Sequence, residues 1–407
     1  MYKRRHKGDD NSWEREPATP DSSPSELHYI RELSCEWPKF LRFHCNAYLD
    51  RDIKAIVWND SPCVVALVIF SGGVQLIQGS GTILEMHDDT IIVVTSANLI
   101  RRSTSKKFGE NILAENITVH AHLCGGNLYT GGEVCAYDFH YNLAFIKFPF
   151  VPPFEPAKTA KIALVGDSVD VHSSRPHFSL LPHSGSYKLT PGDRVVAMGR
   201  YFTEPFEPMA APGEYCLFKN SFDCGELLTT NCKITRCGDG GPLLNSLGEM
   251  LGIVFFDRDS TPCLPINIVC KWWDHYKEYG KCCRPFLGFE ATNLFAADVA
   301  FIERVIYNFP DARRGLVVEK IIPDSSVDLA GLCVDDVIIK CDGKPVQTFL
   351  ELFEMIWMKV GVPTELTLIR ANHATHTQLS VTFYEATSDQ LNRWPVHHKD
   401  LIKDLFS

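Results

Sequence analysis

The chain has 407 residues, 22% of them charged, and a formal net charge of -10. This length exceeds what one hydrophobic core usually fills, so we expect more than one domain. The acidic balance disfavours nucleic acid as a partner, since phosphate binding needs a basic field, and no apolar run reaches the roughly 20 residues of a membrane span.

The N-terminal region has two parts without strand patterns. Residues 1–26 are first basic and then rich in Asp, Ser, Pro and Glu, which predicts a disordered tail. No apolar stretch of the secretory type follows the basic start, so we expect a cytoplasmic or nuclear protein. Residues 27–60 place apolar side chains at helical spacing and predict a helical lead-in.

Short β-branched runs separated by Gly and Asp turns begin at Ser61 and predict an antiparallel sandwich or barrel. This domain spans 61–280, and a proline-rich joint at 151–156 divides it, with one half to about 155 and the other from about 156. A short helix or connector at 271–276 precedes a third unit at 284–386. A polar tail at 387–407 ends the sequence.

The 15 cysteines do not follow a disulfide pattern, because their number is odd and their spacing is scattered. Without a secretory signal we expect free thiols. Cys232 with Cys237, or the neighbours Cys282 and Cys283, could suggest zinc, but no paired CxxC or HxxxH accompanies them. The sequence therefore predicts buried, unligated thiols, with no metal and no cofactor.

Five segments in order resemble the trypsin-like barrels of the protease Do family, the HtrA type in its plant form. They lie at 79–83, 93–98, 141–147, 191–199 and 237–243. The resemblance implies a mostly β protein with two six-stranded antiparallel trypsin-like β-barrels, followed by an α+β PDZ domain.

The resemblance places the catalytic histidine, aspartate and serine of the family at Asn98, Asn142 and Asp239. If Gly238 and Asp239 instead match the two residues before the nucleophile, the serine is deleted. A carboxamide cannot take the proton of an attacking hydroxyl, and a neutral Asn cannot stabilise an imidazolium. No triad member is therefore intact.

Neighbouring residues offer no obvious replacement. His87 and His140 are expected at the surface, and Ser246 is expected in a turn beyond the nucleophile loop.

The oxyanion-hole loop implied by the resemblance consists of Cys237, Gly238 and Asp239. Cys237 replaces a glycine of the family, so its N–H is less freely oriented. Two arrangements of Asp239 stay open. Its carboxylate either folds into the nest of amides at 237–239 or points to solvent.

Residues 284–385 resemble the PDZ domain of the same family through the segments 285–289, 315–325 and 330–346. The carboxylate-binding loop implied by this resemblance consists of Leu287, Gly288 and Phe289. Thr348 is expected to cap an amphipathic helix over 348–359, on which Phe349 and Phe353 line a groove. Such a groove binds an extended peptide and holds its terminal carboxylate.

The sequence favours a pseudoprotease that binds peptides or protein C-termini through its PDZ domain. One alternative is an active serine endopeptidase of protein quality control with a rearranged site. Another is a regulatory subunit of active relatives, because the family commonly assembles as trimers, so homo- or hetero-oligomers are expected.

Overall fold

The structure is a computed structural model that describes residues 49–387 apart from 88, 103–111, 124–127, 150–157, 167–186, 203, 218–223, 258–259, 313 and 371–374. The predicted tail 1–26, most of the lead-in 27–60, the proline-rich joint 151–156 and the tail beyond 387 lie outside the described residues.

Six antiparallel strands close into the first barrel, in the order β1-β2-β3-β6-β5-β4. They are β1 Val64–Ser71, β2 Val74–Met86, β3 Thr90–Ser96, β4 Ile117–His122, β5 Leu128–Asp138 and β6 Leu143–Pro149. Gly72 and Gly73 both have positive φ and form the two-residue turn between β1 and β2. In the pairing of β3 with β6, Ser96 lies opposite Leu143.

The second barrel has the same number of strands, in the order β10-β11-β14-β13-β12-β9. They are β9 Arg194–Arg200, β10 Pro208–Cys216, β11 Leu228–Thr230, β12 Pro242–Leu244, β13 Met250–Val254 and β14 Thr261–Pro265. A short parallel pair, β7 Val165–Gly166 and β8 Tyr187–Lys188, lies between the barrels in sequence. The predicted pair of six-stranded antiparallel barrels is confirmed.

Arg200 joins the two barrels. Its side chain is 1% exposed, and its guanidinium donates to the backbone carbonyls of Val64, Phe206 and Ser61. A buried cation is tolerated only where its donors find acceptors, and here backbone oxygens supply them.

Two helices flank the barrels. Helix α1 spans Arg51–Asp60 at the end of the predicted lead-in, and Asp50 caps it by accepting the Ile53 N–H at 2.9 Å. Helix α2 spans Ile266–Tyr279, longer than the predicted 271–276, because its apolar face also includes Ile266, Ile268 and Val269. Trp272 and Trp273 of α2 stack on Phe145 of the first barrel.

The third unit is an α+β domain that is compatible with the predicted PDZ fold. Its main sheet has the order β16-β17-β18-β20-β21, with β19 paired to β18, while β15 pairs with β22. The strands are β15 Pro285–Phe286, β16 Phe289–Asn293, β17 Leu316–Ile321, β18 Asp336–Cys341, β19 Lys344–Pro345, β20 Pro363–Arg370, β21 Thr375–Thr382 and β22 Tyr384–Glu385. The helices are α3 Val299–Asn308, α4 Ser326–Leu329 and α5 Phe349–Trp357.

Helix α5 confirms the helix predicted over 348–359, and the Thr348 hydroxyl caps it by accepting the Glu351 N–H at 3.2 Å. Among the helices of the described ranges, none combines the length and apolar character that crossing a bilayer requires.

Candidate functional site

The first two predicted triad positions lie side by side where β3 ends and β6 begins. A 3₁₀ turn, Ala97–Leu99, follows β3, and Asn142 immediately precedes β6. The Ala97 N–H donates to the Asn142 carbonyl at 2.9 Å, and the Asn98 N–H donates to Asn142 Oδ1 at 2.8 Å. Asn142 is fully buried with φ 54°, a left-handed conformation that asparagine tolerates.

The Asn142 side chain thus holds a backbone amide and not the side chain of residue 98. Asn98 Oδ1 and Asn142 Nδ2 are buried and make no hydrogen bond within the described residues. Neither carboxamide has a basic lone pair, so this pair cannot take up a proton near neutral pH.

Asp239, the third position, reaches the same place from the second barrel. Asp239 Oδ1 accepts the Phe256 N–H at 3.1 Å, and the carboxyl also bonds to the Ser96 hydroxyl. Ser96 Oγ in turn accepts the Asn98 N–H at 3.3 Å. The structure therefore brings Asn98, Asn142 and Asp239 together, with Ser96 between them.

Desolvation dominates the electrostatics of Asp239. Burial of the carboxyl raises its pKa to about 6, although the Phe256 N–H, the Ser96 hydroxyl and the charge of Arg236 all work to lower it. The residue as a whole is half-buried, but its carboxyl faces protein donors. Near neutral pH the group is mostly ionised and takes up a proton in mildly acidic solution.

The amides of the predicted oxyanion hole donate within their own loop. The Cys237 N–H donates to Thr235 Oγ1 at 3.3 Å, and the Asp239 N–H donates to the Arg236 carbonyl at 3.2 Å. The Gly238 N–H donates to the Thr235 carbonyl at 2.9 Å. The Asp239 carboxyl thus takes a third arrangement: it neither occupies the amide nest nor points to solvent, but binds Phe256.

The first barrel fixes the position of this loop. The Ser80 N–H donates to the Asp239 carbonyl at 2.9 Å, and the Ser80 hydroxyl donates to the Cys237 carbonyl at 2.6 Å. A Cβ at Gly241 would lie 2.0 Å from the Met198 carbonyl oxygen, so only glycine fits there. The two Ser80 hydrogen bonds therefore tie this loop of the second barrel to β2 of the first.

His87, His140 and Ser246 are the nearby side chains that could take the place of a missing triad member. His87 is 60% exposed and bonds to Glu85, and Ser246 lies exposed in a turn, both as expected. The expectation for His140 is wrong, because this residue is 1% exposed. Asp138 Oδ1 accepts the His140 and Tyr141 N–H groups and folds the β5–β6 turn inward.

The sequence analysis missed Ser96, whose hydroxyl bonds to Asp239. A Thr-Ser pair ending a buried strand is common and gives no signal of its own. Ser96 has no exposed surface, so a substrate carbonyl cannot reach its oxygen.

In the third unit, Leu287, Gly288 and Phe289 form a buried loop leading into β16. Gly288 has φ 75°, and its carbonyl accepts the Ile322 N–H at 2.9 Å and the Ser325 hydroxyl at 3.3 Å. A Cβ on Gly288 would lie 2.6 Å from Ser325 Cβ. The loop conformation therefore depends on glycine at this position.

Helix α5 lies along β16, as a peptide groove requires. The Phe349 N–H donates to Asn293 Oδ1 at 2.8 Å and ties the start of α5 to the end of β16. Phe353 is fully buried and its ring stacks with the ring of Phe349 at 6.3 Å. Phe353 is therefore a core residue, and the half-buried Phe349 is the one of the two that a ligand can contact.

Comparison with known proteins gives consistent matches. Residues 79–253 match the family described as trypsin-like peptidase domain. The chain is 30% identical over 363 residues to protease Do-like 14 of Arabidopsis thaliana, covering 84% of this chain and 74% of that protein. It is 30% identical over 202 residues to the periplasmic serine endoprotease DegP of Escherichia coli, covering 47% of this chain and 41% of DegP.

Two further proteins are similar to this chain. The serine protease Do-like HtrB of Bacillus subtilis is 25% identical over 202 residues, covering 46% of this chain and 44% of HtrB. The chain thus spans less than half the length of these bacterial relatives. The solved structure of the serine endoprotease from Yersinia pestis matches with 17% identity and a TM-score of 0.45, covering 83% of this chain and 100% of that one.

Proposed function

Because this chain belongs to the Do-like, HtrA-type family of trypsin-like proteases, we propose that it is a non-catalytic member that binds peptide or protein segments. One observation carries the proposal. Where the triad of an active relative would lie, Asn98 and Asn142 bond to each other through a backbone amide, and the Asp239 carboxyl binds the Phe256 amide.

Each chemical requirement of acyl transfer is unmet at this place. Asn98 offers no base, Asn142 offers no charge, and Asp239 offers no hydroxyl. Triad-deficient serine proteases keep some rate because the oxyanion hole still works. Here the Cys237 and Asp239 N–H groups donate to Thr235 and Arg236, and the loss of one such donor alone lowers kcat about 10²–10³-fold.

Activity assays on the full chain test the absence of catalysis. We expect no cleavage of an unfolded protein substrate and no labelling by a fluorophosphonate, with an active relative such as DegP as the positive control. Ser96→Ala is the matched variant, because Ser96 holds the hydroxyl beside Asp239. Cleavage that disappears in Ser96→Ala would refute the proposal and support the alternative of a rearranged endopeptidase site.

The binding part of the proposal rests on the loop at 287–289 and on α5. An extended peptide that pairs with β16 would place its terminal carboxylate at the N–H groups of Leu287, Gly288 and Phe289. Its side chains would then face Phe349 on α5.

A peptide screen on the full chain tests this interaction. We expect peptides with free C-termini to bind and the same peptides with amidated C-termini to bind at least about tenfold more weakly, which corresponds to about 1.4 kcal/mol. Equal binding of both forms would reject capture of the carboxylate.

Gly288→Ala is expected to abolish this preference for free C-termini, because the added Cβ meets Ser325. Gly331→Ala is the matched control, since Gly331 also has positive φ (86°) but no atom lies within 4 Å of its Cβ position. If Gly288→Ala and Gly331→Ala bound peptides with free C-termini equally well, the loop at 287–289 would not be the binding site.

A further inference from the structure

A second polar cluster lies buried where the three units meet. His140 lies in the β5–β6 turn of the first barrel, while Cys224 and Glu226 lie between β10 and β11 of the second. These three side chains are 1%, 3% and 5% exposed. One potential ligand atom from each lies within 4.8 Å of the other two.

The distances suit coordination of one small ion. Cys224 Sγ lies 3.3 Å from Glu226 Oε2. Two donors on one tetrahedral zinc ion lie roughly 3.5 Å apart, given metal–ligand lengths of about 2.0–2.3 Å. The His140 ligand atom lies within 4.8 Å of the other two, so a shift of its ring toward them would complete such a set.

The chemistry of the donors selects the metal. A thiolate, an imidazole and a carboxylate are the three ligand types that zinc uses in proteins, whereas Mg²⁺ and Ca²⁺ prefer oxygen alone. A neutral imidazole has a nitrogen lone pair that can bind a metal.

Arg284 orients the carboxylate of this cluster. Arg284 Nη2 binds Glu226 Oε1 at 3.0 Å, so the oxygen nearer Cys224 stays available to an ion. A carboxylate shared between a metal and a guanidinium is held in a fixed orientation. Two charges from Zn²⁺ would face the anions of Cys224 and Glu226, beside the cation of Arg284.

We propose that His140, Cys224 and Glu226 form a Zn²⁺ site that joins the two barrels next to the start of the third unit. On binding, the Cys224 thiol loses its proton to solvent and its sulfur bonds to the metal, so one proton leaves for each ion bound. No electron is transferred. The ion would link the β5–β6 turn to the segment at 224–226 beside Arg284.

Metal titration of the purified full chain after chelator treatment tests the site. We expect one Zn²⁺ to bind per chain with release of about one proton in weak buffer. Co²⁺ in its place should give a thiolate-to-cobalt charge-transfer absorption. X-ray absorption of the zinc-loaded wild type should show one sulfur neighbour, with nitrogen and oxygen as the others.

Cys224→Ser should remove the charge-transfer absorption and weaken Zn²⁺ binding by more than about 100-fold, because a direct ligand matters more than its outer partners. Cys63→Ser is the matched control, since Cys63 is also 3% exposed and its thiol donates to the Asp60 carbonyl. Glu226→Gln, with nearly the same shape, should weaken binding as well.

Three results would overturn the proposal. The first is a wild type that binds no zinc after chelation, and the second is an absorption unchanged by Cys224→Ser. The third is an X-ray absorption spectrum with several sulfur neighbours, which would place the metal on other cysteines. The wild-type measurements decide the question even where a variant fails to fold.

Discussion

Asp239 shows how a single side chain shapes the site that also contains Asn98 and Asn142. In an active relative a hydroxyl at this place would face a base. Here the carboxyl binds the Phe256 N–H and the Ser96 hydroxyl and is partly desolvated. The Asp239 carboxyl therefore ties the loop at 237–239 to Phe256, and its ionisation is linked to folding.

The stability of the protein should depend on the protonation of Asp239. Its pKa rises from 3.8 to about 6 on folding, so between these pH values the folded state holds more protons than the unfolded state. The free energy of unfolding should then fall with rising pH, by about 2–3 kcal/mol in total, and change no further from this cause above about pH 6.

Asp239→Asn should remove that part of the pH dependence, because asparagine keeps the acceptor for Phe256 but does not ionise. Urea denaturation of both proteins at pH 4, 5, 6 and 7 measures the effect. We expect the variant to gain stability relative to wild type as pH rises, and parallel curves would contradict the link to Asp239.

Restoring the three catalytic residues should not restore a protease. In the triple variant Asn98→His, Asn142→Asp and Asp239→Ser, the Cys237 N–H still faces Thr235. We expect kcat at least about 100-fold below that of an active relative on one fluorogenic peptide, since an oxyanion donor is missing. A rate equal to that of the relative would show that the loop reorganises freely.

At the scale of elements, helix α5 illustrates what sequence patterns specify. Its apolar spacing and its cap at Thr348 are local, so both were predictable from residues 348–359 alone. The family resemblance pointed to Asn98 and Asn142, and the pairing of β3 with β6 in the structure brings these two residues together.

Thr348→Ala should lower the free energy of unfolding by about 1 kcal/mol, because the cap at the start of α5 is lost. Thr348→Ser is the control, since its hydroxyl can still accept the Glu351 N–H. Urea denaturation followed by circular dichroism measures both. Equal losses in the two variants would show that the methyl group, and not the cap, stabilises the helix.

Contacts between segments far apart in the chain could not be predicted from the sequence. His140 and Cys224 are 84 residues apart, so no spacing motif joins them, and only the docking of the barrels brings them together. The capture of Asp239 by Phe256 likewise depends on the path of the chain after β13. The predicted trimer and the cytoplasmic or nuclear location stay predictions, because they depend on surfaces and signals outside these patterns.

At the scale of the whole molecule, the third unit is fastened to the barrels by several contacts. Asn267 Nδ2–H on α2 donates to Glu354 Oε1 on α5 at 2.8 Å, and Trp357 stacks on Tyr141 of the first barrel. Arg284 pairs with the buried Glu226 of the second barrel. Helix α5, which borders the proposed groove, thus contacts helix α2 and the first barrel.

Arg284→Ala should lower the free energy of unfolding by about 3–5 kcal/mol, because it leaves the Glu226 carboxylate buried without its cation. The double variant Arg284→Met with Glu226→Gln should lose much less, since it removes both charges. Urea denaturation with a chelator present measures both without interference from metals. Equal losses in the two proteins would show that packing, and not charge, makes the contact.

Arg200 holds the barrels together through carbonyl oxygens of Ser61, Val64 and Phe206, which every amino acid possesses. Replacement of those three side chains leaves the backbone acceptors in place. Replacement of Arg200 removes a planar guanidinium with several N–H donors, and the ammonium group of lysine does not reproduce that geometry. The hydrogen bonds that Arg200 makes between the barrels should therefore survive substitution at Ser61, Val64 or Phe206 but not at Arg200 itself.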